Sequence, residues 1–276
     1  FFQGIQKMRY ITILNMSGRI CTMLGIFLLV KSPDDYILAA FLQACTPLIA
    51  GIFSIVWLRK RYTGLFKWPT IGEIINSYKE GWSIFISSLA VNLYTATNVV
   101  VLGMLTNNVI VGYYSAADKL ITCVRRGIYA VSDAIYPFIS KMMRDDIPKG
   151  LQFIRKQLFL YLLIGLVCCT SLFFFSDTIV KLLFGADYEL TVDVLRILSF
   201  VPLAVAISTV FGEETMLPLN MNSAYSRTLV LAAFFSLLSI FPLCYMWGAE
   251  GVAMTMLLTE FLIMIVMGGL LWKRLL

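Results

Sequence analysis

Between residues 36 and 58 the chain reads YILAAFLQACTPLIAGIFSIVWL, without one charged side chain. About 20 apolar residues, rising about 1.5 Å each, cross the roughly 30 Å hydrocarbon core of a bilayer. An uncharged run of this length therefore predicts a transmembrane helix. Comparable runs recur at roughly 10–30, 82–104, 109–133, 157–176, 194–212, 228–247 and 250–272, so the sequence predicts about eight spans. Mean hydropathy is +0.84, and 14% of residues are charged where soluble domains carry about a quarter. The predicted fold class is an all-α polytopic membrane protein. A soluble helical bundle would need a polar face on each helix, and 36–58 offers none.

The chain opens on FFQG, with neither a methionine nor a basic-headed signal peptide. The expectation is that an N-terminal portion precedes it, Phe1 and Phe2 being the end of an earlier span. There is no histidine, which removes histidine acid–base chemistry and mixed His/Cys zinc sites. The six cysteines, Cys21, Cys45, Cys123, Cys168, Cys169 and Cys244, all fall within predicted spans and form no CxxC. They read as small buried apolar residues, and neither a metal nor a cofactor is expected. No segment outside the spans is long enough for a folded catalytic domain, which argues against an enzyme.

Charge is distributed by side. With eight spans both ends share one face. Fifteen of the 22 Lys and Arg fall on it: Lys7, Arg9, Arg59, Lys60, Arg61, Lys67, Lys79, Lys141, Arg144, Lys149, Arg155, Lys156, Arg227, Lys273 and Arg274. The opposite face carries Lys31 and Lys181 with the acids Asp34, Asp35, Asp177, Asp187, Glu189 and Glu250. The positive-inside rule makes the basic face, including the C-terminus, cytoplasmic. The net charge of +6 is then an orientation signal and an attraction to anionic lipid, with no nucleic acid required. The longest connection, 59–81, is cytoplasmic. Within it TIGEIINSYKEGW (70–82) reads equally as a short interfacial helix or a plain loop.

Five cations remain, and all fall inside predicted spans: Arg19, Lys119, Arg125, Arg126 and Arg196. Three of them share one helix with Asp118 and Asp133. With Asp118 at zero and about 100° per residue, Tyr114, Lys119, Arg125, Arg126, Tyr129, Ser132, Asp133 and Tyr136 fall within an arc of about 140°. A central charge facing lipid costs about 2.5–3.5 kcal/mol, so five cost on the order of 12–17 kcal/mol. Some fifteen apolar residues return only about 4–9 kcal/mol. The arc must face other helices or a water-filled cavity. One reading is an internal network pairing Asp118 and Asp133 with Lys119, Arg125 and Arg126. The other is a hydrated cationic cavity, favoured by the surplus of cations over acids and by the tyrosines and hydroxyls that extend the arc.

Other spans carry isolated polar groups. Arg19 and Glu260 are near the centres of theirs, and Asn92 and Asn98 interrupt 82–104. Glu260 reads first as the interior partner of a cation. Arg196 is close enough to an outer end to snorkel. Glu213 and Glu214 are expected to be solvated at a cytoplasmic helix end. Pro137 and Pro202 are candidate kinks.

FFQGIQKMRYITILN (1–15), GYYSAADKL (112–120) and LLFGADYELTVDVLRILSFVPL (182–203) together resemble the Wzx-type O-antigen and polysaccharide flippases, the polysaccharide transport branch of the multidrug/oligosaccharidyl-lipid/polysaccharide exporter superfamily. The resemblance implies two six-helix bundles around a cavity that opens to each side in turn. Residues 1–58 would be the last two helices of the first bundle, 59–81 a basic cytoplasmic linker, and 82–276 a complete second bundle. It further implies a non-enzymatic inner-membrane flippase for an oligosaccharide repeat unit carried on polyprenyl pyrophosphate.

On that resemblance, Arg19, Lys119, Arg125 and Arg126 are the candidate pyrophosphate contacts. Asn92, Asn98, Tyr129 and Tyr136 are the candidate glycan contacts. Asp118, Asp133 and Glu260 would orient the cations or exchange ions. Expected partners are the lipid-linked oligosaccharide, membrane lipids, and polysaccharide polymerase and chain-length machinery. The competing readings are a multidrug or metabolite exporter and a membrane-embedded glycan polymerase or ligase. A polymerase or ligase would commonly show a large outer loop or a histidine.

Overall fold

The computed structural model describes residues 8–32, 35–61, 70–185 and 187–275, and among them every regular element is a helix. Phe1 to Lys7, Asp34 and Lys67 lie outside the described residues, as does the 62–69 stretch of the 59–81 linker. The chain divides into two compact units, Phe1–Ile74 and Ile75–Leu276.

In the first unit α1 (Met8–Leu29) packs against α2 (Tyr36–Arg61). Gly25 faces the Leu42 side chain, where a Cβ would sit at 3.5 Å, an ordinary van der Waals contact. The turn between them is fixed by the Asp35 carboxylate, which accepts from the Lys31 and Ser32 backbone N–H groups at 3.0 Å each. Those two bonds, the Lys31 one first, hold its carboxyl below the usual carboxylate range.

The stretch 70–82 is neither a loop nor a separate interfacial helix. It is the opening of α3 (Ile71–Leu105), continuous with the span that follows. The cause is a capping box. The Thr70 N–H donates to the Glu73 carboxylate at 2.8 Å, and the Glu73 N–H donates back to the Thr70 hydroxyl at 3.4 Å.

The second unit continues with α4 (Asn108–Asp145), α5 (Ile147–Phe174), α6 (Ser176–Phe184), α7 (Glu189–Leu198) and α8 (Val201–Phe211). A π-helical turn (Gly212–Met216) and α9 (Asn222–Leu275) complete it. Asn107 caps α4 by accepting from Val109 and Ile110, and Asp146 caps α5 by accepting from Lys149.

Among the described residues four segments are long and apolar enough to cross a membrane: Ile84–Leu105, Ile147–Phe174, Glu189–Met216 and Asn222–Lys273. The predicted span 194–212 corresponds to α7 plus α8, interrupted at Ser199 and Phe200, with Pro202 in the first turn of α8. The predicted spans 228–247 and 250–272 are the halves of α9, divided where Gly248 takes φ 55°. That left-handed φ suits glycine, and Gly251 is brought against the Leu243 carbonyl, where a Cβ would collide. Ile240 and Met256 share one core cluster, and Ala233 and Ile263 another, as a hairpin folded at Gly248 requires.

The second unit is apolar outside, and its mostly apolar interior holds a set of polar and charged groups. Helix α5 exposes Phe159, Leu160, Leu163, Leu166 and Val167 while burying Gln157 and Tyr161. Buried polar groups elsewhere include Asn98, Arg125, Ser132, Glu214 and Glu260. Apolar side chains outward and charged ones turned inward are what a hydrocarbon solvent selects. α8 runs through the middle against α4, α5 and α9, and Gly165 of α5 lets it come close, since a Cβ there would meet Leu203 at 3.0 Å.

Candidate functional site

Helix α4 is where the chain places its charge, and packing decides which of those charges turn inward. Its buried residues are Tyr114, Ala116, Ala117, Ile121, Arg125, Ile128, Ser132, Ile139 and Met143. At about 100° per residue these centre some 80° away from the middle of the polar arc. One edge of the arc is therefore buried, the middle borders a cavity, and the other edge is open.

The cavity has a volume of about 640 Å³ and lies inside the second unit. From α3 it is lined by Ser87, Ser88, Val91, Asn92 and Tyr94; from α4 by Arg125, Tyr129, Ser132, Asp133 and Tyr136. Ser208 and Thr209 of α8, Glu213 of the π-turn, and Tyr225, Glu260 and Met267 of α9 close it. Such a volume falls within the roughly 300–1,000 Å³ range of small-ligand sites.

At its wall Arg125 meets Glu260, Nη2 to Oε1 at 3.4 Å, and the Tyr94 hydroxyl donates to the same oxygen at 3.1 Å. Arg125 is 8% exposed and Glu260 3%. Tyr129 also lies against the guanidinium. The pair joins α4 to the second half of α9. Asp133 and Glu213 face the same cavity from α4 and the π-turn, so among the described residues one cation and three carboxylates line it.

The sequence candidates separate accordingly. Arg125, Glu260, Asn92, Tyr129, Tyr136 and Asp133 come together at the cavity. Lys119 and Arg126 are exposed on α4 and do not line it. Their positions at about 80–100° put them on the far edge of the arc. Arg19 is exposed on α1 in the first unit. Asp118 is half-buried behind Arg125 rather than at the cavity. Asn98 is 1% exposed and packed beside the Tyr114 hydroxyl, away from the cavity. Asn92 spends its amide on the Ser88 carbonyl at 2.8 Å. The expected pairing of Asp118 and Asp133 with Lys119, Arg125 and Arg126 does not occur among the described residues, because Glu260 takes Arg125.

Two acids depart from expectation. Glu213 and Glu214 are not solvated at a helix end. Glu213 lines the cavity, and Glu214 is 0% exposed, accepting from the Tyr161 hydroxyl at 3.2 Å. Both belong to the π-turn, which continues the helix past the apolar run, and π-turns recur at functional sites. The EE pair inside an apolar run was the available signal. Tyr94 and Tyr225 were also missed, their positions depending on contacts across α3 and α9. Arg196 is half-exposed, bonded to Asp193 and Ser176. No group of three or more His, Cys, Asp or Glu residues suited to a metal occurs among the described residues.

An apolar-shelled helical unit enclosing a charged cavity defines the class: a polytopic membrane protein. The family described as polysaccharide biosynthesis protein matches residues 1–143, about half of the chain, and the chain belongs to that family. Over 266 residues it is 30% identical to a "Putative O-antigen transporter" of Shigella dysenteriae, covering 96% of this chain and 66% of the relative. It is 31% identical over 268 residues to a protein of the same description from Escherichia coli (strain K12), covering 95% of this chain and 63% of that one. A "Probable low-salt glycan biosynthesis flippase" of Haloferax volcanii is 22% identical over 242 residues, with 87% and 50% covered. The chain thus spans a little under two thirds of the first two relatives. No solved structure matches it.

Proposed function

We propose that this chain is part of a flippase that moves an oligosaccharide repeat unit, linked through pyrophosphate to a polyprenyl lipid, from the cytoplasmic to the outer leaflet of a bacterial inner membrane. The observation that carries the proposal is the Arg125–Glu260 pair on the wall of a cavity large enough for sugar. The names of the relatives point the same way. In this reading residues 1–58 are the end of a first helical bundle, 59–81 is a cytoplasmic linker, and 82–276 forms a second bundle of six spans. The two bundles open the cavity to each side alternately, and the C-terminus is cytoplasmic.

A pyrophosphate competes with Glu260 for Arg125. In a low-dielectric cavity a guanidinium binds phosphate oxygens in a forked pair of bonds, so exchange of one anionic partner for the other is physically reasonable. Tyr129, Tyr136, Asn92 and the cavity serines supply the ring faces and hydrogen bonds a glycan needs. Lys119, Arg126 and Arg19 would contribute cations from outside this cavity. A polymerase and chain-length machinery would receive the product.

The three carboxylates facing one arginine favour a second reading, an exporter of cationic metabolites or drugs. Surface polysaccharide distinguishes the two. In a strain lacking the protein, wild type restores polysaccharide, and Arg125→Met at equal membrane level leaves lipid-linked repeat units to accumulate. Normal polysaccharide from Arg125→Met contradicts the pyrophosphate role. Failure of wild type to restore it, with gain of resistance to cationic compounds, favours the exporter.

A further inference from the structure

The cavity carries more acid than its one arginine can match. With Arg125 and Glu260 paired at 3.4 Å, Asp133 of α4 and Glu213 of the π-turn remain on the lining, and neither forms an ion pair among the described residues. The two carboxylates act on one another across the cavity, and Glu213 also lies near Tyr129 and Tyr225. One helical turn before Glu213, Thr209 lines the same space. Thr209 is 4% exposed, and its hydroxyl has no hydrogen-bond partner among the described residues. A buried hydroxyl left open beside a cavity is a position for a ligand's polar group.

This acidic lobe is separate from the arginine. Asp133 lies a little over two turns beyond Arg125 on α4, roughly 12 Å at the helical rise. A pyrophosphate at Arg125 and a sugar at the lobe can therefore sit side by side in one cavity. Carboxylates accept hydroxyl, amide and ammonium hydrogens in charge-assisted bonds, and they offer nothing to a second carboxylate. In a low-dielectric cavity like charges repel, and repulsion of the wrong ligand gives selectivity as surely as attraction of the right one.

We propose that Asp133 and Glu213, with Thr209, select the glycan by charge: the cavity takes repeat units of neutral or amino sugars and rejects those carrying a uronic acid. The inference rests on the flippase reading above and names the class of glycan moved. The carboxylates that would suit a cationic compound also suit the hydroxyl and amine hydrogens of such a sugar. Tyr129 and Tyr225, on the same lining, supply ring faces for its apolar side.

The test uses the full-length protein in sealed proteoliposomes with polyprenyl-pyrophosphate glycans of equal length. They differ in one sugar: glucose, glucosamine or glucuronic acid. At neutral pH wild type moves the glucose and glucosamine forms faster than the glucuronate form by about tenfold or more. Asp133→Asn with Glu213→Gln, which keeps the shape of the lining, brings the rates to within about threefold of one another. Asp177→Asn, outside the cavity, leaves the wild-type preference intact. Because wild type alone shows the preference, a variant that does not fold cannot hide the answer. Equal rates in wild type overturn the inference and leave the flippase reading standing, as does rejection of glucosamine together with glucuronate. A preference unchanged in the double variant also overturns it and places selection elsewhere. Transfer of no glycan by wild type contradicts the flippase reading itself, and this inference falls with it.

Discussion

Glu260 and Glu214 are two buried carboxylates in one helical unit, each accepting a tyrosine hydroxyl, and they differ in their charged partner and in the backbone that presents them. Glu260 has Arg125 at 3.4 Å, while Glu214 has no cation among the described residues. The first is neutralised from within. Its charge is compensated in apolar surroundings while Arg125 stays paired with it, and the pair ties α4 to α9. The second is met by hydroxyls, that of Tyr161 at 3.2 Å and that of Ser132 beside it. The backbone differs too: Glu260 projects from a regular helix toward a partner helix, whereas Glu214 belongs to a π-turn and forms no ion pair among the described residues.

The largest effect should come from breaking the neutral pair on one side only. Arg125→Ala strands Glu260 and should destabilise by about 3–5 kcal/mol, read as lowered unfolding temperature and membrane level. Replacing both partners, Arg125→Met with Glu260→Met, should recover most of that stability and still abolish polysaccharide export. If the double variant is as unstable as Arg125→Ala, the pair is not an isolated unit. The same operation at the other acid should have the opposite sign. Glu214→Gln removes a buried carboxylate that has no ion pair among the described residues and should leave the unfolding temperature unchanged or raised. Tyr94→Phe and Tyr161→Phe sharpen the contrast, each removing one hydrogen bond to a carboxylate, for about 1.5–3 kcal/mol. The loss at Tyr161 should shrink when Glu214→Gln is already present.

Charges outside both sites should matter least to stability. Lys119→Ala and Arg126→Ala, exposed on α4, should change it by less than about 0.5 kcal/mol. At the head of α5, the Lys149 side chain above all holds the Asp146 carboxyl below its ordinary value. A depressed carboxyl stabilises the folded state at neutral pH and loses that contribution as pH falls through its lowered value. Acid titration of the unfolding temperature should therefore show a component that Asp146→Asn removes.

The helical, lipid-facing character was legible because uncharged runs as long as 36–58 have few alternatives in water. The polar arc on α4 identified the right helix. It did not identify the right residues, because angular position says which side chains are neighbours and not which edge the next helix covers. Arg125 and Arg126 are adjacent in sequence and on opposite sides of that edge. The pairing of Arg125 with Glu260 crosses 135 positions and depends on how α9 folds at Gly248. Glu213 and Glu214 were misplaced because they follow the end of the apolar run 194–212, whereas the helix continues there as a π-turn inside the unit. The capping box at Thr70 and Glu73 was readable from T-x-x-E and shows that 70–82 begins α3.

The most direct measurement is leaflet exposure of a lipid-linked oligosaccharide in sealed proteoliposomes, followed by accessibility of its glycan to an external lectin. The account predicts that wild-type protein transfers the glycan across the bilayer and that Arg125→Met with Glu260→Met, folded and inserted to the same level, does not. Equal transfer by the double variant, or no transfer by wild type, would contradict it.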